Sequence, residues 1–514
     1  MPSADIPRMK GNGHTSNGHP PRDSPFPGPS ETRPSLLPKL VLKPWVTPTP
    51  AGIVLTNAQV VDPAGGKLLD GLQSIVIRDG KVAAVYPVDE PDLLAEEGSL
   101  RRVDLGGRYV SPGLIDGHVH VTAVPGTHNL KEMTELQPEA ISYRTTFVLR
   151  EMLMRGFTTV RDTGGATKPL ADAIEEGLLV GPRLFQCGKA ISQTGGHGDF
   201  TPAKSGGEPG CCGGHSVLLG RTADGVPQVL KATREELKAG ADCEGFLSCC
   251  LVIKIMVGGG VASATDAIET VQYSPEELRA ITSTCWQMGR IHTTAHAYTP
   301  EAIRHAIDNG VKGIEHGNLI DRETARYMAE KGIYLTPTLS CYGESGRALF
   351  TVDLWRIMQR APWENFLPPS GQVKNKQVME KGLEALKLAD EEGVTVCYGS
   401  DLLTSMHALQ TEEFTIRSEV LPSPTILRHA TTNVARMLGM QGKIGVLAPG
   451  AFADLLILDA NPLEDITILD RPEDHLHLVM KEGRVAFSTM PQLQTKEEEE
   501  KQEMLRHKKL RPVI

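Results

Sequence analysis

Eight short apolar runs, set apart by helix-like spacing, constrain this chain more than any other feature. They are Leu114–His120, Phe157–Thr163, Arg183–Lys189, Leu251–Val257, Ile291–Ala297, Gly313–His316, Ile333–Thr338 and Val394–Ser400. Their apolar character is continuous rather than alternating, as expected of strands covered on both faces of a parallel sheet. Between them lie segments such as Ser274–Gly289, opening Ser-Pro-Glu-Glu with a cap and a first-turn proline, and Thr299–Asn309. Eight such units over residues 113–437 predict an α/β fold, a (β/α)8 TIM-like barrel with insertions. The largest interruption, residues 198–250, is expected to be a loop over the barrel mouth.

Matched β-rich stretches flank these units. Gly52–Val61 and Ser74–Ala83 precede them, the second with an Asp-Gly turn, and Ala453–Asp459 and Leu478–Phe487 come after. They predict a small β-sandwich domain assembled from residues 51–112 and 438–490. Twelve of the 36 prolines fall in residues 1–50, so this stretch is expected to be a disordered extension. Residues 491–514, with Glu497–Glu500 and Lys508-Lys509, read as a charged tail.

Composition then excludes classes of function. A formal net charge of −10 makes a nucleic-acid backbone an unsuitable partner. No run of about 18 apolar residues is present, so no membrane association by a spanning helix is expected. An N-terminus without an apolar core predicts no secretory signal. The nine cysteines are odd in number and include two adjacent pairs, which points to reduced thiols and a cytoplasmic location. Cys211-Cys212-Gly-Gly-His215, with Cys243 and Cys249-Cys250, fits no regular zinc-knuckle spacing and reads as small residues of the insertion.

The chemistry-bearing residues gather at strand ends. His118 and His120 are two apart, so in a strand both face one side and can share a metal. Taken alone this pair is weak, since His475 and His477 repeat the spacing where a surface is expected. Lys254 stands as the single charge in Leu251–Val257. It is either an edge or snorkelling side chain, or a desolvated amine with a lowered pKa. His296, His316 and Asp401 each close a predicted strand. Five His/Asp positions and a lysine thus fall at carboxyl ends of strands 1, 4, 5, 6 and 8, where barrel enzymes assemble their sites.

With these residues in view, the chain resembles the amidohydrolase superfamily, in its imidazolonepropionase/prolidase-like (carboxypeptidase-type, ochratoxinase-like) branch. The resemblance spans about residues 52–490. It is carried by Ser111-Pro-Gly-Leu-Ile-Asp-Gly-His-Val-His120, Val252-Ile-Lys-Ile-Met256, Ala295-His-Ala-Tyr298, Ile314-Glu-His-Gly317, Gly399-Ser-Asp401 and Pro449-Gly-Ala-Phe-Ala-Asp-Leu455. It implies two divalent metal ions, most often Zn2+. His118, His120 and Asp401 would hold one and His296 and His316 the other, with Lys254 bridging both as N6-carboxylysine.

The resemblance also implies a reaction. A hydroxide shared by the two ions would attack an amide carbonyl, with Asp401 as the catalytic acid/base. Positions matching His197, Tyr298 and Arg304 contact a substrate carboxylate or carbonyl in prolidase-like members. Arg304 also reads as a plain helix-surface charge, and His197 as a turn residue or a donor behind the ligands. The implied substrate is a small molecule with an amide beside a free carboxylate, a dipeptide or N-acyl amino acid, and family members commonly form homo-oligomers. Hydrolysis of a cyclic amide, as in imidazolonepropionase, or a related reaction of secondary metabolism, is the enzymatic alternative. A metal-free scaffold is the other, against which the complete set of six ligand positions argues.

Overall fold

The computed structural model describes residues 43, 45, 46, 52–90, 100–129, 132, 133, 135–200, 219–240, 252–263, 266–341, 366, 367 and 369–493. The chain divides into residues 1–45 and Val46–Ile514, and the elements below lie in the second unit. The proline-rich stretch, the charged tail and the Cys211–His215 cluster fall almost wholly outside the described residues.

Strands from both ends of the fold hydrogen-bond together. They are β1 (Ile53–Asp62), β2 (Lys67–Leu68), β3 (Gln73–Arg78), β4 (Lys81–Pro87), β5 (Arg101–Asp104) and β6 (Tyr109–Pro112). The next six are β7 (Leu114–Val119), β8 (Phe157–Asp162), β9 (Arg183–Gln186), β10 (Ala190–Ser192), β11 (Gly220–Thr222) and β12 (Ile253–Met256). Then come β13 (Thr293–Ala297), β14 (Gly313–His316), β15 (Tyr334–Thr336), β16 (Thr395–Val396), β17 (Leu455–Leu458), β18 (Leu476–Lys481) and β19 (Arg484–Ser488). A mixed sheet runs β19-β18-β17-β6-β1-β3-β4, with β2 and β5 also paired to β1. Leu55, Ile75, Val103, Val110, Leu455 and Leu478 form its buried core, so the N- and C-terminal stretches share one apolar face.

The middle of the chain is parallel. One sheet runs β11-β10-β12-β13-β14-β15-β16 and another β7-β8-β9, every pair parallel. Backbone bonds from Gly117 N–H to Tyr398 O (2.8 Å) and from Asp401 N–H to His118 O (2.9 Å) tie β7 to the segment after β16. Only three residues separate β9 from β10, where a single strand was expected. The break centres on Gly188, whose φ of 67° is left-handed and incompatible with an uninterrupted strand. Its carbonyl accepts from Gly165 N–H at 2.9 Å.

Helices cover these strands: α1 (Pro138–Met154), α2 (Lys168–Glu175), α3 (Gly225–Gly240), α4 (Pro275–Gln287), α5 (Pro300–Asp308), α6 (Arg322–Glu330), α7 (Pro369–Met379) and α8 (Gly382–Glu391). The expected capping at Ser274 is present as a reciprocal box. Ser274 Oγ accepts from Glu277 N–H, and Glu277 Oε2 accepts from Ser274 N–H at 2.8 Å, an arrangement worth about 1 kcal/mol. The 198–250 interruption is not simply a loop: residues 219–240 supply β11 and α3. That helix buries Val229, Ala232, Thr233 and Leu237 at helical spacing, a stripe that draws it onto the sheet.

Candidate metal centre

Strand β7 and the turn after β16 bring the first group together. His118 Nε2 and His120 Nε2 each lie 3.2 Å from Asp401 Oδ1. Buried Asp116 sets this approach: its carboxylate accepts from His118 N–H at 3.0 Å, Ser400 Oγ at 2.6 Å and Gln410 Nε2 at 2.9 Å. It therefore ties the histidine strand to the segment carrying Asp401. Asp401 itself has φ 52° and His316 φ 75°, left-handed conformations costly for non-glycine residues. Such strain, of order 1–3 kcal/mol each, is tolerated where surrounding structure dictates side-chain direction.

The second group meets the first. His316 lies with its ring centroid 5.1 Å from that of His118 and 4.5 Å from that of His296. His197 stacks on His296 at 4.1 Å, and the Tyr298 ring is 4.9 Å from His296. Lys254, on β12, is 2% exposed, and it lines the same cavity as His118, His120, His197, His296, Tyr298, His316 and Asp401. Burial pushes its ammonium down to about 8, against the carboxylates of Glu315 and Asp401. Burial likewise holds His296 and His316 well below the usual imidazole range. For Asp401 burial acts in the opposite sense, but His118, His120 and His316 prevail and hold the carboxyl well below its ordinary range.

Each histidine of the set has one ring nitrogen tied to an oxygen. His118 Nδ1 meets Glu315 Oε2 at 2.8 Å, His120 Nδ1 meets Gly164 O at 2.9 Å and His316 Nδ1 meets Thr338 Oγ1 at 2.8 Å. His296 is tied through Nε2, 3.1 Å from Gly259 O. A carbonyl or carboxylate partner demands N–H at that nitrogen and leaves the opposite one with its lone pair, as metal ligation requires. Donor atoms of His118, His120 and Asp401 lie within 4.8 Å of one another. The donor set fits a divalent cation, with imidazole and carboxylate ligands of the kind that zinc accepts.

Glu315 and Arg161 back the His118 side of this group and are not among the residues that the motifs singled out. Glu315 is fully buried; besides His118 it binds Arg161 Nη2 at 2.6 Å, and Thr294 Oγ1 donates to it. Burial opposes its ionisation, yet Arg161, Lys254 and His118 hold it well below the usual carboxylate range. Both Arg161 and Glu315 are charged residues inside predicted strands, but Asp162 adjoins one and His316 the other, so neither is a lone charge as Lys254 is. Because Glu315 fixes the His118 ring, Glu315→Gln is expected to weaken metal binding about 10–100-fold, read by titration of the stripped protein with zinc.

Arg304 is not among the described residues that line the cavity. Its Nη2 pairs with Glu323 at 3.0 Å, its Nε donates to Thr324 Oγ1 at 3.2 Å, and the guanidinium lies 5.3 Å from the Tyr327 ring centroid. On α5 the buried stripe is Ala302, Ile303, Ala306 and Ile307, which leaves Arg304 on the flank facing α6. The His475 and His477 pair also stands apart, bonded through Nδ1 to Asp459 at 2.8 Å and Thr489 at 2.9 Å.

Apolar side chains complete the cavity, among them Phe200, Leu219, Val261, Phe366, Leu367 and Met406. Among described residues, no helix is long and apolar enough to cross a membrane.

Comparison with known proteins agrees with this geometry. Over 451 residues the chain is 29% identical to ochratoxinase of Aspergillus niger, covering 85% of this chain and 87% of that protein. The solved structure of a prolidase complexed with N-methylphosphonate-L-proline is similar at 40% identity and a TM-score of 0.74, covering 85% of this chain and 99% of that one. A Xaa-Pro dipeptidase with bound methionine in its active site is similar at 28% identity and a TM-score of 0.71, with 85% and 99% covered. Residues 109–486 match the sequence profile of the amidohydrolase family. That span carries every histidine and acid gathered in the cavity, and the chain belongs to the amidohydrolase family.

Proposed function

We propose that this protein is a metal-dependent hydrolase of amide bonds in small molecules, favouring a dipeptide or N-acyl amino acid. The observation that carries the reading is the convergence of His118, His120, His296, His316, Asp401 and the buried Lys254 on one cavity. The activities for which the similar proteins are named, prolidase, Xaa-Pro dipeptidase and ochratoxinase, support the substrate class. In the same proposal the two parallel sheets close into a (β/α)8 barrel over residues 113–437. Residues 51–112 and 438–490 then make a β-sandwich domain, and the chain acts in the cytoplasm as a homo-oligomer.

His118, His120 and Asp401 would hold one divalent ion and His296 and His316 a second. Lys254, carboxylated on Nζ, would bridge them, exchanging a costly buried ammonium for an anion. When bound, the ions supply Lewis acidity and bring the pKa of water toward neutrality. Asp401 accepts the proton of the attacking water and returns it to the leaving nitrogen, so the amine departs uncharged. The apolar wall excludes bulk water and receives the acyl side, where Phe200, Phe366 and Leu367 suit an aromatic or aliphatic group. With Arg304 paired to Glu323, a substrate carboxylate is met in this reading by Tyr298 and the metal centre rather than by a guanidinium.

The test is hydrolysis of a panel of dipeptides and N-acyl amino acids by zinc-loaded protein, with products identified by mass. Release of free amino acid that stops on chelation and returns with zinc is expected. A fully loaded protein inert across the panel contradicts the reading.

A further inference from the structure

A hydrogen-bonded relay runs behind His197. His197 Nδ1 lies 2.9 Å from Ser263 Oγ, and Ser263 Oγ makes a short hydrogen bond to Asp266 Oδ1. Asp266 is buried, and its other oxygen accepts from Gly260 N–H at 3.1 Å and Gln272 Nε2 at 2.8 Å. Gln272 Oε1 in turn accepts the His197 backbone N–H at 3.1 Å. From α7, Lys374 Nζ donates to the carbonyls of Gly260 (3.1 Å), Ser263 (2.8 Å) and Asp266, and lies 3.6 Å from Asp266 Oδ1. The loop is pressed against the ring so closely that a Cβ at Gly260 would collide with His197.

Proton counting gives the relay a direction. Asp266 faces N–H donors at Oδ2 and the Lys374 ammonium near Oδ1, so its carboxylate only accepts. Ser263 has one hydroxyl proton, and the short bond to Oδ1 takes it. The competing acceptor, Gly260 O, is uncharged and farther, at 3.2 Å. Ser263 Oγ therefore turns a lone pair to His197 Nδ1, and that nitrogen must carry the proton. Among the described residues no hydrogen bond engages Nε2.

We propose that Asp266 and Ser263 are positioning residues that fix His197 with its proton on Nδ1 and with Nε2 as a hydrogen-bond acceptor in the cavity, and that Lys374 holds this relay in register. The ring then engages an N–H or O–H donor, which differs from the carbonyl or carboxylate contact that the resemblance implied for it. The catalytic consequence rests on the amide-hydrolysis reading; the tautomer does not.

Two measurements on the full-length, zinc-loaded protein test this. In 15N-histidine NMR, the signals that vanish in His197→Asn identify the ring. A proton on Nδ1 is expected in the parent. In Asp266→Asn the new amide can donate to Ser263, whose hydroxyl then turns to Nδ1, so the proton is expected on Nε2. A parent proton on Nε2, or a tautomer unchanged in Asp266→Asn, overturns the proposal. In kinetics, Ser263→Ala and Lys374→Met should each lower kcat/KM about 10-fold, with Ser263→Thr and Lys374→Arg restoring most of it. In the His197→Asn background the same changes should cost under about 2-fold, because they act through that ring. Equal losses in both backgrounds overturn the relay. A panel without any hydrolysis, beside a parent ring protonated on Nδ1, would defeat the amide reading and leave the relay standing.

Discussion

A Lys254→Met variant is expected to lose hydrolysis by about a thousandfold or more while folding as well as the parent. Lysine at this position is nearly inaccessible, on a strand whose four residues are all buried, and burial already pushes its ammonium down to about 8. An amine in that state is easily uncharged, and only the uncharged form takes up carbon dioxide to become a carbamate. Methionine fills nearly the same volume and carries no charge to desolvate, and Arg161 and His118 still neutralise Glu315, so the stability change should stay under about 1.5 kcal/mol. Thermal unfolding of the metal-free proteins, beside kcat/KM on the best panel substrate, separates the two effects. Loss of activity together with a collapse in stability would instead make Lys254 a packing residue.

The second large effect falls on Asp401. Asp401→Asn should lower kcat by about 10²–10⁴-fold, because asparagine can neither accept the proton of water nor return it to the leaving nitrogen. The amide keeps the shape of the carboxylate and can accept through its oxygen, so substrate binding should suffer less than turnover. A kcat loss much larger than the change in KM is therefore expected in steady-state kinetics. A rise in KM with unchanged kcat would mean that Asp401 serves binding alone.

How much of this was legible in the sequence depends on where each signal lives. Strand positions read well because burial on both faces leaves a continuous apolar run, and Gly313–His316 is observed with the expected bounds. The other runs shortened at their ends, where turn geometry takes over; Val394–Ser400 contains a strand of only Thr395–Val396. Beyond that strand the backbone bends sharply so that Asp401 faces β7, and no propensity rule announces a positive φ at an aspartate.

The ligand-type residues were legible as charges and imidazoles at strand ends. Arg161 and Glu315 were less legible than Lys254, because each has a titratable neighbour, Asp162 or His316, and is not a lone charge in its strand. The fate of Arg304 was not legible. A helix tells which face is buried, but the partner that claims a flanking arginine, here Glu323 on the next helix, is a matter of helix–helix packing. Likewise the Ser263–Asp266 relay arises from a loop meeting His197 across 66 residues of sequence, a contact that local pattern cannot announce.

The central claim, that this cavity is a two-metal centre bridged by Lys254, is tested most directly by the metal content of the purified chain. Protein loaded with zinc and bicarbonate, then freed of excess ion, should contain close to two zinc ions per chain by plasma mass spectrometry, and Lys254→Met markedly fewer. A parent chain that retains no zinc after loading, or a Lys254→Met variant that retains as much as the parent, would contradict the account.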